Sequence, residues 1–396
     1  MEAVTEDSGR ETRGAFRARV RTWLDGHAPR KGEPGDFSAA HLISAHTPEE
    51  YERSERDALT VTKTWQRRVY DAGFAGLSWA REYGGTDGPT WLDEIVAEEQ
   101  SRYGVSTKML AIALEMVPPV LFGHGTSEQR ARHLPLVLRG EESWCQLLSE
   151  PGAGSDLAAV STRARAVEGG WEVTGQKVWT SGAGTADFAL LLARSEAAPG
   201  RGGLSCFILD MHAPGVEVRP LRQMSGGYHF NEVFLSDVFV AESGLIGEPG
   251  GGWAVLRTML ASERAAIGGG TSGRSAVQLV ALARRLGRTD DAVSRQLVAG
   301  AVVRERVLDL LLARVMATPV PAGGSLTKLL YSEHARHSAD DAMRILGAAA
   351  MTSEHADAAP WVERLLFAPG LRIGGGTDEI QRNTIAERGL GLPRTP

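Results

Sequence analysis

Two cysteines, Cys145 and Cys206, are all that the 396 residues contain. Nothing near them has metal-ligand spacing, which argues against both a disulfide framework and a zinc site. Reduced thiols in a cytoplasm are the plain reading. Long apolar runs are also missing, so no segment has the length that spans a bilayer. The N-terminus lacks the apolar centre of a secretory signal, and Glu2, Glu6, Asp7 and Glu11 are out of place in a transit peptide, which is poor in acids. Basic excess is absent as well. With 43 Lys and Arg against 49 Asp and Glu, the net charge is -6, and neither nucleic acid nor an anionic membrane surface finds the cationic footing it needs. A cytoplasmic protein without a metal is expected.

The length exceeds one ordinary core, so two or three structural units are expected. Hydrophobic content of 42% and charged content of 23% are those of a globular chain. From about residue 10 to residue 140 the pattern is helical, with Leu92, Ile95 and Val96 at helical spacing and Thr126 with Gln129 forming a capping-box candidate. Between 142 and 241 the period changes to short extended runs. Thr162–Val167 and Trp171–Val178, separated by Gly169 and Gly170, predict a hairpin, and the runs at 189–193, 205–209 and 216–218 continue the β pattern. Helical periodicity returns after the loop at 249–252, through 255–283, 293–314, 324–346 and 378–388, as in an antiparallel bundle. The predicted domains are 1–141, 142–242 and 243–396.

Two motifs within Trp144–Ala183 carry the chemistry. Ser149-Glu-Pro-Gly-Ala-Gly-Ser-Asp156 breaks an apolar run with proline and glycine, so that backbone amides and the Ser155 hydroxyl can approach a ligand. Lys177-Val-Trp-Thr-Ser-Gly182 ends a β-type run with an indole and hydroxyls suited to lie beside a ring system. Other patterns are weaker. Gly268-Gly-Gly-Thr-Ser-Gly273 has G-x-G-x-x-G spacing but follows a helix and lacks a βαβ setting, so its glycines read as a place of close helix approach. His334 and His337 are three apart without a third ligand and read as solvated surface.

The two motifs, at this spacing, resemble the acyl-CoA dehydrogenase family, flavoproteins that introduce an α,β double bond into acyl thioesters. Ile373-Gly-Gly-Gly-Thr-Asp-Glu-Ile-Gln-Arg-Asn383 is similar to that family's closing signature, and Asn231-Glu-Val-Phe-Leu-Ser-Asp-Val238 to the strand that leaves its β-domain. Trp79-Ala-Arg-Glu-Tyr-Gly-Gly85 resembles its Trp-Pro-x-x-Tyr-Gly-Gly, with Ala80 in place of proline. The resemblance implies an α+β multidomain fold: an N-terminal helical domain, a middle β-barrel and a C-terminal four-helix bundle, with FAD between the last two. It also implies that Gln146, Leu148 and Ser149 line the flavin, that Trp179, Thr180 and Ser181 lie against its ring, and that Ser155 touches the CoA part of the substrate.

The closing signature departs from the commonest pattern, Tyr-Glu-Gly-Thr, in which the glutamate is the base. Gly374, Gly375, Gly376 and Thr377 stand there instead. Gly375 has no proton-abstracting side chain but keeps the backbone N–H that, in the family, helps hold the thioester carbonyl; Gly376 is placed with it on the substrate. The resemblance to isovaleryl-CoA and long-chain enzymes, which carry the base on another helix before an arginine, implies Glu263 as base and Arg264 as a positioning residue. Cofactor contacts from a second subunit match less well. Ala283-Arg-Arg-Leu-Gly287 replaces Arg-x-x-Phe-Gly, leaving Arg284 or Arg285, followed by Gln296. Of the family's Leu-Gly-Gly-x-Gly loop, only Gly347 keeps its place as a glycine, while Thr377 and Glu379 keep their signature positions. The implied activity is α-proton removal by Glu263 with β-hydride transfer to FAD, an acyl-CoA or acyl-carrier-protein thioester as substrate, and an electron-transfer flavoprotein as acceptor. A homo-oligomer, dimer or tetramer, is implied too. A flavin oxidase or monooxygenase on the same fold, or a non-catalytic partner subunit, remain open alternatives.

Overall fold

The computed structural model describes residues 11–394 apart from 41, 42, 44, 46, 197, 199, 269–274, 319, 353 and 354, and the side chains of 264–268 are likewise outside the description. The acids at Glu2, Glu6 and Asp7, and all of the Gly268–Gly273 pattern after its first residue, lie outside the described residues.

Among the described residues five α-helices come first: α1 (Arg13–His27), α2 (Pro48–Asp71), α3 (Trp91–Gln100), α4 (Val117–His124) and α5 (Ser127–Leu138). Phe16, Val20 and Leu24 recur every four residues on α1, and that stripe is buried against Trp65, Val69, Phe74, Ile95 and Val96. The capping box forms as expected, with Thr126 Oγ1 accepting from the Gln129 amide at 3.2 Å and Gln129 Oε1 from the Thr126 amide at 3.0 Å. Gln129 Nε2 also donates to the carbonyls of Ser243 and Leu245, both at 2.7 Å, tying this helix start to the far end of the β region.

Among the described residues eight strands follow: β1 (Trp144–Leu147), β2 (Arg163–Val167), β3 (Gly170–Ser181), β4 (Phe188–Arg194), β5 (Leu204–Asp210), β6 (Val216–Leu221), β7 (Phe230–Ala241) and β8 (Leu245–Ile246). They form one mixed sheet in the order β6-β7-β3-β2-β4-β5-β8, with β1 parallel to β4. The predicted hairpin pairs Val167 with Gly170, and Gly169 takes φ +76° in its turn. Inward residues of six strands, among them Leu147, Ala164, Val173, Leu191, Phe207 and Val233, share one core, so the sheet curls around a single interior.

The rest is helical: α6 (Gly252–Gly268), α7 (Ser275–Arg285), α8 (Ala292–Ala317), α9 (Gly323–Leu346), α10 (Ala359–Ile373) and α11 (Asp378–Thr384). Helix α10 lies between the helical runs that the sequence pattern marks, and it contains Pro369 and Gly370. Pro360 opens it where a missing N–H is harmless, and burial of Trp361 and Ala368, seven apart on one face, holds it. His334 corrects an expectation. Helix α9 is packed against α6, α7, α8, α10 and α11, so His334 is buried, with Nε2 3.9 Å from Glu305 Oε2, instead of solvated. Among the described residues no group of three or more His, Cys, Asp and Glu side chains is placed to hold a metal, and no helix is long and apolar enough to cross a membrane.

Candidate active site

The two β motifs meet through a buried lysine. Alternation along β3 turns Val173 and Lys177 inward, and both are fully buried. Lys177 Nζ donates to the Leu148 carbonyl at 3.0 Å and to Glu150 Oε1 at 2.8 Å, while the Val178 amide donates to the Ser149 carbonyl at 2.9 Å. Glu150 also accepts from the Ser161 amide and hydroxyl, each at 2.7 Å, and from the Thr162 amide at 2.9 Å. Burial alone would push the Glu150 carboxyl up. The Lys177 charge and these donors outweigh it and hold the group at about 2. Burial likewise brings Lys177 down to about 8, with Glu150 opposing the shift.

Past this anchor the Glu150 and Ala153 backbones bond each other at 2.9 and 3.0 Å, closing a turn. Ser155 is exposed beyond it, and the Asp156 carboxylate accepts from the Ala158 amide at 3.2 Å. On β3 the pairing with β7 shifts register between Lys177 and Thr180, and Trp179 adopts φ +63°. Such a bulge re-aims side chains: the Trp179 indole is 57% exposed while Thr180 is buried. The Thr180 carbonyl accepts from Asn231 Nδ2 at 3.1 Å, and its Oγ1 is buried without a hydrogen-bond partner among the described residues. Ser181 is exposed beside it.

Two contacts link this wall to the helices. Trp179 meets Phe230 edge-on at 5.9 Å between ring centroids, and Phe230 stacks on Phe367 of α10 at 6.4 Å; that helix runs directly into Gly374. On the other side Leu148 shares a buried cluster with Val255, Leu256 and Met259 of α6, with Leu260 packed against it. Glu263 lies four residues after Met259 and three after Leu260, hence on the same helix face, and is partly buried. The side chain of Arg264 lies outside the described residues. Gln146 points at Met116, with Nε2 2.5 Å from the sulfur.

At the closing signature Gly375 and Gly376 take φ +66° and +88°, a region that disfavours any side chain. Gln381 Nε2 donates to both of their carbonyls, at 2.7 and 3.2 Å. Thr377 caps α11, its Oγ1 accepting from the Ile380 amide at 3.2 Å. Buried Asp378 accepts from Lys328 Nζ at 3.2 Å, Ser332 Oγ at 2.9 Å and Arg372 Nε at 2.6 Å. Glu379 is exposed, 3.8 Å from Arg382.

Three expected cofactor residues sit apart from this group. Arg285 pairs with Asp357 at 2.5 Å and borders a separate hollow of about 210 Å³ that includes Trp361 and Arg364. Gln296 is exposed on α8. Gly347 ends α9 with φ +61°, where an added Cβ would come 3.4 Å from Arg288 Nη2. No hydrogen bond among the described residues joins these three to the β3 wall. A hollow of about 270 Å³ between α2 and the sheet is lined by Tyr51, Glu55, Met211, Ala183 and Asn231, and so adjoins the end of the β3 motif, whose Thr180 carbonyl accepts from that asparagine. Sequence reasoning passed over Glu150, Phe230, Phe367, Asp378 and Gln381 as functional supports. A usable signal existed for the first: an inward lysine at strand period requires a buried acid.

Three family models match the chain in succession: acyl-CoA dehydrogenase, N-terminal domain, over residues 36–141; middle domain, over 145–238; and C-terminal domain, over 250–390. Acyl-CoA dehydrogenase IpdE1 of Mycobacterium tuberculosis is 36% identical over 389 residues, covering 96% of this chain and 97% of that protein. Among solved structures, the Tcur3481-Tcur3483 steroid ACAD superposes with a TM-score of 0.78 at 27% identity, over 98% of this chain and 99% of its own. The ChsE4-ChsE5 complex from Mycobacterium tuberculosis gives 0.74 at 26% identity, over 99% and 100%.

Proposed function

Since this chain belongs to the acyl-CoA dehydrogenase family, FAD-binding oxidoreductases that act on CH–CH bonds, we propose that it dehydrogenates a steroid-bearing acyl-CoA thioester at the α,β position. The carrying observation is the shared cluster of Leu148 with Met259 and Leu260: Glu263 follows those two residues at helical spacing, and the Leu148 carbonyl accepts from Lys177 of β3, which supports a base on α6 beside the flavin wall. A steroid-ring substrate is favoured by the near full-length likeness to a steroid ACAD. Glycine at 374, 375 and 376 removes every side chain from the loop and leaves room for a bulky acyl group. We take the domains as 1–141, 142–242 and 243–396, the sheet starting at Trp144 and α6 at Gly252.

The wall fits a flavin. It offers an out-turned indole, an exposed Ser181 and the buried Thr180 hydroxyl that lacks a partner among the described residues, a group that a native interior satisfies. Gln146, Leu148, Ser149, Trp179, Thr180 and Ser181 would hold the FAD ring, with Thr377 and Glu379 from the signature, and Arg285, Gln296 and Gly347 would serve the cofactor of a second subunit. FAD bound there supplies the hydride acceptor that no side chain provides. Glu263 takes the α-proton onto its carboxylate, a general-base contribution of roughly 10² to 10⁴ in rate. The Gly375 N–H receives the charge growing on the thioester oxygen. Ser155 and Gly376 hold the substrate, and Arg264 orients it.

Helix α8 leaves Val293, Val303, Val307 and Leu310 more than 45% exposed along one stripe, an apolar face of the kind that protein interfaces cover. The similar ChsE4-ChsE5 structure is a complex, so we infer a second subunit of this fold packed on α8, with an electron-transferring flavoprotein as electron acceptor. Anaerobic titration with short, branched, long and steroid-ring acyl-CoAs tests the activity. Bleaching of the flavin band by the steroid-ring thioester, abolished in Glu263→Gln with FAD retained, is the expected result. Undiminished bleaching in that variant overturns the base, bleaching by short chains alone overturns the substrate class, and stoichiometric oxygen consumption in air would mark an oxidase instead.

A further inference from the structure

The geometry points to Gln381 as a positioning residue that aims the Gly375 N–H at the substrate carbonyl, an inference that rests on the oxyanion role proposed above for that amide. Two consecutive residues with positive φ form a loop whose peptide planes have no support from helix or sheet. Here the loop lies between the end of α10 and the start of α11. A single buried amide supports it: Gln381 Nε2 donates to the carbonyls of Gly375 and Gly376. Rotation of either peptide plane breaks one of these bonds and takes a partner from the buried Gln381 amide, where an unpaired donor is costly. The Gly375 N–H belongs to the 374–375 plane, which lies between the 375–376 plane held by Gln381 and the 373–374 plane held by the Gly374 amide donating to the Gly370 carbonyl at 2.8 Å, so bracing the Gly375 carbonyl restricts how that N–H can turn.

The same atom explains why residue 376 is glycine. A Cβ there would lie 2.6 Å from Gln381 Nε2, so a side chain would displace the bracing amide, in addition to the strain of φ +88°. The opposite edge of the loop is pinned separately, by Asp378 on Lys328, Ser332 and Arg372 and by the Arg372 carbonyl accepting from Lys328 Nζ at 3.3 Å. Removing Gln381 therefore frees the loop without unfolding the helix start that follows it. In a chain whose residue 375 has lost its side chain, this amide is what keeps the remaining catalytic group of that position in place.

Gln381→Glu removes the donor at nearly constant shape and sets a carboxylate against two carbonyls, and Gln381→Met removes it without charge. Both are compared with the unaltered flavin-loaded protein. The expected result is a fall of roughly 10²- to 10³-fold in the rate of anaerobic flavin bleaching by a steroid-ring acyl-CoA, with FAD content retained. Affinity for the matching S-alkyl CoA thioether, which has no carbonyl, should change less than about threefold, because only the carbonyl interaction is lost. Equal weakening of thioester and thioether, or bleaching within about threefold of normal, overturns the proposal. Should the unaltered protein not be bleached by any thioester, the functional reading fails, and amide hydrogen exchange of residues 374–381 decides the positioning role alone. Faster exchange there in Gln381→Met at an unchanged melting temperature supports it, and unchanged exchange overturns it.

Discussion

Two buried lysines face each other in kind across the candidate site, and they are unequal. Lys177 underlies the β3 wall and Lys328 the glycine loop, and both are fully buried. Lys177 meets Glu150 at 2.8 Å, and among the described residues no other cation shares that carboxylate. Lys328 meets Asp378 at 3.2 Å and shares it with Arg372 at 2.6 Å. The β side is thus a neutral pair with one cation, whereas the helical side carries one cation more than it needs. Breaking a buried pair is costly chiefly because the orphaned charge stays inside, so the region with the spare cation tolerates loss better.

The strongest way to break the comparison is Lys177→Met, which strands Glu150. It should lower unfolding free energy by about 3–5 kcal/mol, read by urea titration with tryptophan fluorescence, and Glu150→Gln added to it should recover part of the loss. A smaller effect is expected from Lys328→Met, about 1–3 kcal/mol, because Arg372 still answers Asp378. Equal losses at the two sites would erase the distinction. The mildest probe is pH. Glu150 is held at about 2 against an ordinary 4.5, so its stabilisation is complete above 4.5 and drains away as pH falls toward 2. Lys177, brought down to about 8 from 10.5, works in the same direction in a higher window: between those values the unfolded chain holds more protons, and stability from this group rises with pH. Urea midpoints measured from pH 3 to 10 should show the acid loss, and Glu150→Gln should flatten it.

Local signals in the sequence were readable and long-range ones were not. The capping box at Thr126 and the hairpin at Gly169 and Gly170 depend on residues within a few positions of each other, and both formed. Helix α10 depends on Trp361 and Ala368 finding α7 and α9, a tertiary gain that outweighs Pro369. The bulge that turns Trp179 outward depends on its register with β7, some fifty residues away, and nothing near Trp179 announces it. His334 was misplaced because helical period cannot tell which helix of a bundle will be central. The site motifs were found as motifs, while the supporting roles of Glu150 and Gln381 inside them, and of Phe367 outside them, show only in the contacts made once the chain has closed.

The aromatic contact from Trp179 through Phe230 to Phe367 sets an order of events during synthesis. The first two rings leave the ribosome long before the third, since 137 residues of chain separate Phe230 from Phe367. A nascent chain with a finished sheet but no α10 leaves the faces of His229 and Phe230 uncovered, and transiently bare apolar surface is where aggregation starts. The later-translated segment, which carries α10 ahead of the glycine loop, is therefore also the one that shields the sheet, and truncation before residue 359 leaves a sticky intermediate in place of a smaller working protein.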